Sequence, residues 1–294
     1  MPLVSILVAS KNQAHYLMDM ISALKAQSFQ DFEVIVVDSY STDSTQQILT
    51  QYEKVKFIQR KCDANLAYRL ALDYASGKYI MIATTSDFLY SIRWIELAVL
   101  KLESDDELSC VWGSGVIVDE DGGIQSLWAD HYILDLPPSK NNYIYFWLHV
   151  PYLPELNYVV SSEVFNYCIK FNDTDEYLFN VNNSFLYNFT RCGFLQEYIP
   201  EIANAGRDHG NSLTLLNKKI DRDQSFLFFK LRFMFIINIY FKNHDFQYKN
   251  RKFEALTHYK LDNLLSLIFK FFSSFLKNIL RKLIKKTLTI IYRF

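Results

Sequence analysis

Three short polar clusters hold the residue types able to do chemistry. Ser10 and Asn12 form the first, Asp38 and Ser39 the second, and Thr85, Ser86 and Asp87 the third. Each follows an apolar, β-branched run, at residues 4–9, 32–37 and 79–83. Hydroxyls and amides donate and accept hydrogen bonds, and a carboxylate accepts from an N–H or a hydroxyl. Any one cluster is compatible with turn chemistry. Three of them, each closing a strand, point to one binding site, because open α/β sheets gather ligands outside the carboxyl ends of their strands.

The segments between the runs must position these clusters. Leu17, Ile21 and Leu24 recur at helical spacing after the first. Ser41, Thr42, Asp43 and Ser44 supply helix-start residues after the second, with Asp43 read as one of them, and Ile48 and Tyr52 follow on one face. Val55 to Gln59 reads as a further strand. Residues 64–76 read as helical, with Gly77 expected to stop the helix in a left-handed conformation. The order β-α-β-α-β-α-β predicts an α/β fold, a mostly parallel sheet with helices on both faces. No G-x-G-x-x-G follows the first run and no Walker loop is present, which argues against a dinucleotide fold and a P-loop ATPase.

Composition narrows the class further. Of 294 residues, 50% are hydrophobic and 21% charged, which excludes a wholly disordered chain. Cys62, Cys110, Cys168 and Cys192 lie far apart with no C-x-x-C pair, so free thiols in a reducing cytosol are expected rather than a zinc site or disulfide framework. The N-terminal apolar run is short and lacks a basic leader, so it reads as a strand. No stretch of about 18 uncharged apolar residues predicts a transmembrane helix.

Four segments in combination carry a resemblance. They are Val4-Ser-Ile-Leu-Val-Ala-Ser-Lys-Asn12, residues 27–38 ending at Asp38, Ser41-Thr-Asp-Ser-Thr45, and Gly77-Lys-Tyr-Ile80 ahead of an acidic turn. Together they resemble the inverting nucleotide-sugar glycosyltransferases of glycosyltransferase family 2, whose fold is GT-A, a Rossmann-like architecture. The resemblance is good over residues 2–100, loose over 101–215, and silent beyond about 216. It implies a nucleotide-diphosphate donor, expected to be UDP-linked, held by Ala9, Ser10, Asn12, Asp38 and Ser39. A second Asp, common in relatives, is Ser39 here.

The resemblance also implies Mg²⁺ or Mn²⁺ on a D-x-D or D-D turn, where a hard cation bridges carboxylate and phosphate oxygens. This chain reads Thr84-Thr85-Ser86-Asp87, with one carboxylate. Aligned from Gly77 without a gap, Ser86 takes the metal position; with one extra residue Asp87 does, followed by Leu89-Tyr90 where relatives have a hydrophobic pair. Asp87 is the preferred ligand, with weak metal affinity expected, and Thr85 and Ser86 join the donor site. Arg69 either reaches the diphosphate or is a solvated helix arginine. The general-base position, counted back from Gly193, falls on Asn182, and Asn188 stands where relatives have Arg. An amide cannot take the proton, so Asp173, Asp175 and Glu176 just upstream are the other candidates. The segment Arg207-Asp-His-Gly-Asn-Ser212 resembles the R-x-H-x-x-S that closes the domain in relatives, which would bring Arg207 and His209 to the diphosphate or metal.

Residues 109–160 are the expected acceptor region, with a strand at 110–118 and a turn at 119–123. Trp128, Trp147, His149 and Tyr152 there suit either a sugar-binding groove or a core. The expected domains are 1–216, catalytic, and 217–294, basic and helical. Residues 218–294 hold 17 basic and 5 acidic side chains, a net +12, while the other 217 residues carry −13. Over 263–294 no acid occurs. Leu264, Ile268, Phe272, Phe275, Ile279 and Leu283 form one helical stripe, opposite Lys270, Lys277, Arg281 and Lys285. Such a helix suits an anionic membrane surface, or packing on another protein surface. No nucleic-acid-reading motif accompanies the charge. The sequence therefore predicts a cytoplasmic enzyme, peripheral on the inner face of the plasma membrane, that passes a sugar to a glycan or lipid-linked acceptor. A non-catalytic nucleotide-sugar-binding or scaffold subunit is the rival reading.

Overall fold

The computed structural model describes residues 1–127, 156–170, 181–191, 194–208, 246–248 and 251–253. The first third alternates as its hydrophobic pattern predicts. Strands β1 (Val4–Ser10), β2 (Phe32–Asp38), β3 (Val55–Gln59) and β4 (Tyr79–Thr84) are separated by α1 (Ala14–Lys25), α2 (Thr45–Leu49) and α3 (Ala64–Asp73). They pair in parallel in the order β3-β2-β1-β4. Val4, Ile6, Val8, Val34, Val36 and Met81 pack with Leu17, Met20 and Leu24 of α1. Ala67 and Ala71 of α3 are also buried, and α3 packs along β1 and β2. Strands covered on both faces read as apolar runs, which is why β1, β2 and β4 were legible, while β3, at the edge of the sheet, has no fully buried residue.

The second half is mixed. It comprises β5 (Phe88–Leu89), α4 (Trp94–Glu103), β6 (Leu108–Val118), β7 (Ile124–Leu127), β8 (Tyr158–Ser161), α5 (Ser162–Lys170), α6 (Val181–Arg191) and β9 (Leu195–Arg207). The sheet continues β4-β8-β6-β9-β5, with β7 on β6. Strand β8 is antiparallel to both β4 and β6, and β9 is parallel to β6. The mostly parallel sheet that the sequence predicts is thus observed, with β8, β7 and the short β5 as its antiparallel members. The two reversals through β8 return β6 and β9 to the direction of β1. As a result the carboxyl ends of β1, β2, β4, β6 and β9 share one edge. Trp94, Ile95 and Ala98 of α4 complete the core cluster below it. Tyr158, Phe165, Phe185 and Phe189 form a buried aromatic stack that holds α5 and α6.

The end of α3 departs from expectation. The helix stops at Asp73, with Tyr74 as its C-cap in the ordinary helical region. Gly77 is not among the residues with positive φ. Its need for glycine is close approach instead: a Cβ there would lie 2.6 Å from the Ser5 backbone nitrogen, and its own N–H donates to Ser5 Oγ at 2.8 Å.

The chain divides into compact units at residues 1–235 and 236–294. In the second, β10 (Phe246–Tyr248) and β11 (Arg251–Phe253) pair as an antiparallel ribbon. The expected boundary at 216/217 and the basic helix over 263–294 lie outside the described residues. Among the described residues no helix is long and apolar enough to cross a membrane.

Candidate active site

The first two clusters are stitched into one surface at the carboxyl ends of β1 and β2. Ser10 and Asp38 are register partners, and the Ser39 amide donates to Ser10 O at 2.9 Å. Asp38 is completely buried, and Ser41 holds both its oxygens, with its hydroxyl on Oδ1 and its amide on Oδ2. Asn12, in the left-handed region at φ 52°, donates its amide to Ser41 Oγ, while its side-chain oxygen accepts the amide of Thr42. Asp43 accepts from the amides of Ala14 and Thr45, so it sits at the start of α1 and α2 as its position predicts. Burial would raise its pKa. The Thr45 hydroxyl and these amides outweigh that and hold the carboxyl below its usual range. Ser39 Oγ donates to Cys62 O. Ala9 is half-buried. Ser10 Oγ and Thr84 Oγ1 are buried with no hydrogen-bond partner. These hydroxyls close adjacent strands, and an orphaned buried hydroxyl calls for a ligand or water.

The third cluster is held from the far end of the sheet. Asp87 Oδ1 accepts the backbone N–H of Arg207 at 2.9 Å and the Ser86 hydroxyl at 3.4 Å. Arg207 Nε donates to Ser86 O at 3.2 Å, one terminal nitrogen donates to Glu120 O, and the other pairs with Asp19 at 2.5 Å. The guanidinium also lies 5.1 Å from the Tyr16 ring centre and 5.6 Å from that of Phe88. Arg207 is thus buried and engaged at all three nitrogens. Sequence reasoning missed Tyr16, Asp19 and Glu120 as members of this neighbourhood, and had Ser41 only as a helix-start residue.

The remaining candidates are dispersed. Arg69 is half-buried on α3. Asn182 is buried on α6, where its side-chain oxygen accepts the Tyr158 hydroxyl at 2.8 Å. Asn188, also buried, donates to Cys168 O at 2.7 Å. Asp173, Asp175, Glu176 and His209 lie outside the described residues, as do the aromatics at 128, 147 and 152. Cys62 and Cys110 are free thiols, and burial pushes the Cys110 thiol up.

Around Asp87 the donors are oxygens, which suit a hard cation such as Mg²⁺ or Mn²⁺. Among the described residues no group of three His, Cys, Asp or Glu could hold a metal by itself. A cation there would have Asp87 as its one carboxylate from the turn and would need further oxygen ligands.

The sequence pattern of Glycosyl transferase family 2 matches residues 5–159, more than half of the chain. The chain belongs to glycosyltransferase family 2. Its match to TuaG of Bacillus subtilis (strain 168), assigned by name to teichuronic acid biosynthesis, is 35% identical over 92 residues, covering 29% of this chain and 36% of TuaG. The match to the glycosyltransferase EpsE of the same organism is 31% identical over 131 residues, covering 42% of this chain and 46% of EpsE. The matches thus span less than half the length of these relatives. Among solved structures, S. aureus TarS 1–349 in complex with UDP-GlcNAc superposes with a TM-score of 0.63 at 16% identity, covering 81% of this chain and 67% of that one. That likeness gives this family member the GT-A fold.

Proposed function

We propose that this chain transfers a sugar from a nucleotide-diphosphate donor, a UDP-sugar, to a glycan or lipid-linked acceptor of a cell-surface polysaccharide, with inversion. The observation that carries the reading is the gathering of Ser10, Asp38, Ser86 and Asp87 on one sheet edge, with orphaned hydroxyls at Ser10 and Thr84 beneath it. The names of the relatives and the UDP-GlcNAc bound in TarS support the donor and the pathway class. Ala9, Ser10, Asn12, Asp38 and Ser39 would line the nucleotide, and Thr85, Ser86 and Asp87 would face the diphosphate. A bound divalent cation supplies charge neutralisation to the leaving diphosphate. The acceptor hydroxyl attacks the anomeric carbon opposite the leaving group, and its proton goes to a carboxylate, for which Asp175 and Glu176 are the candidates. His209, by its match to the family's closing segment, and Arg69, from α3, would reach the diphosphate. Residues 263–294 would hold the enzyme on an anionic membrane surface.

One observation favours a non-catalytic subunit. Asn182, at the base position, is a buried amide already bonded to Tyr158. Calorimetric titration of UDP with and without Mn²⁺, followed by a donor-hydrolysis assay, tests both readings. The expected result is Mn²⁺-enhanced UDP binding with turnover. Binding without turnover, unaffected by Asp87→Ala, would favour the scaffold.

A further inference from the structure

The turn between β4 and β5 has little structure of its own to hold it. It spans residues 85–87, and β5, which follows, is two residues long. Its anchors come from 120 residues downstream, at the last residue of β9. There the Arg207 amide fixes Asp87 Oδ1, and the Arg207 side chain bonds the carbonyl of Ser86. The same guanidinium reaches two other elements, the Glu120 carbonyl in the β6–β7 turn and the Asp19 carboxylate on α1. Helix α1 begins directly behind the Ser10–Asn12 loop. Tyr16 of α1 adds its ring to the guanidinium and its hydroxyl to Glu120 Oε1 at 3.2 Å. Burial and the neighbouring Glu120 raise the Tyr16 pKa, so this hydroxyl stays a donor.

The Arg207 side chain is 3% exposed, against 56% for Asp19. A buried cation bonded in three directions requires the planar guanidinium fork, which an ammonium cannot reproduce. We propose that Arg207 is a positioning residue for the turn that carries Asp87, its main-chain N–H on the carboxylate and its guanidinium on the Ser86 carbonyl, and that Asp19, through that guanidinium, couples the helix behind the nucleotide loop to the turn. The inference rests on Asp87 as the carboxylate facing the metal and diphosphate. It gives Arg207 a mechanical role where the family resemblance implied contact with the diphosphate or metal.

Hydrogen exchange and binding together test it on the full chain, in Arg207→Lys, Asp19→Asn and, for reference, Asp87→Asn. Asp19 is exposed, so its variant folds even where the Arg207 variant does not. In both Arg207→Lys and Asp19→Asn, exchange across residues 84–90 should accelerate about tenfold with core strands β1 and β2 unchanged. The Mn²⁺-dependent gain in UDP affinity should fall roughly threefold to tenfold, with metal-free UDP affinity within about twofold of the parent. Unchanged exchange at 84–90 in Asp19→Asn overturns the coupling, and a full Mn²⁺ gain in Arg207→Lys, where Asp87→Asn loses that gain, overturns the positioning role. If exchange accelerates but Asp87→Asn keeps the full Mn²⁺ gain, Arg207 does hold the turn and the metal reading of Asp87 is what fails.

Discussion

Ser41 Oγ lies 2.5 Å from Asp38 Oδ1, and the amide of the same residue donates to Oδ2 at 2.8 Å. One serine thus holds both oxygens of a fully buried carboxylate at the end of β2, and its hydroxyl also accepts the Asn12 amide. Ser41→Ala leaves Oδ1 without that donor inside the fold and should destabilise the protein by about 1–3 kcal/mol in urea melts. Asp38→Asn, which keeps shape but removes charge, should weaken UDP binding by about tenfold or more in calorimetry. A change of less than about twofold would remove Asp38 from the nucleotide site.

Tyr40, between these two residues, sits at φ 53° and is 57% exposed. A side chain in the left-handed region costs roughly 1–2 kcal/mol, and glycine gives back about 0.5–1 kcal/mol of that as extra unfolded-state entropy. With little packing to lose, Tyr40→Gly should stabilise the fold by up to about 1 kcal/mol. A lower melting temperature in this variant would mean that the ring supports the loop.

The pH dependence follows from two carboxylates. Burial pushes the Glu33 pKa up, but the Ser5 hydroxyl and the Ser76 amide and hydroxyl outweigh it and hold the carboxyl below its usual range. Asp43 is lowered in the same way. A depressed folded pKa means that the unfolded chain binds more protons, so this stability is complete above the unfolded value and is lost as pH falls through the folded one. Melting temperature should therefore drop between about pH 5 and about pH 3. Glu33→Gln should start lower at neutral pH and fall less steeply, and parallel curves for the two proteins would contradict this assignment.

How far the sequence could be read follows from which contacts are local. Strands β1, β2 and β4 were visible because both faces are buried, and Asp43 because helix starts select their residues within a few positions. Gly77 was recognised as necessary for the wrong reason, since its contact is with Ser5, 72 residues away. Strand β8 is four residues long, and its antiparallel insertion between β4 and β6 leaves no periodic trace. The contacts of Arg207 with Ser86, Asp19 and Glu120 were not anticipated because they are tertiary. A cue did exist: Arg207 closes the 13-residue β9 strand, where a charged residue is placed by the sheet.

The basic tail supplies the last prediction. Lys270, Lys277, Arg281, Lys282, Lys285, Lys286 and Arg293 have no acidic neighbour between residues 263 and 294. Near an anionic bilayer each basic side chain contributes about 1 kcal/mol, an attraction confined to roughly a Debye length. The full chain should therefore pellet with phosphatidylserine-containing vesicles at low salt, and raising the salt to about 0.5 M should weaken this without abolishing it, because the apolar stripe adds a part that salt does not screen. Deleting residues 263–294 should abolish pelleting while UDP affinity stays within about twofold. Pelleting that survives the deletion would move the membrane contact elsewhere on the chain. Loss of UDP binding together with pelleting would instead mean that these residues pack on the catalytic domain.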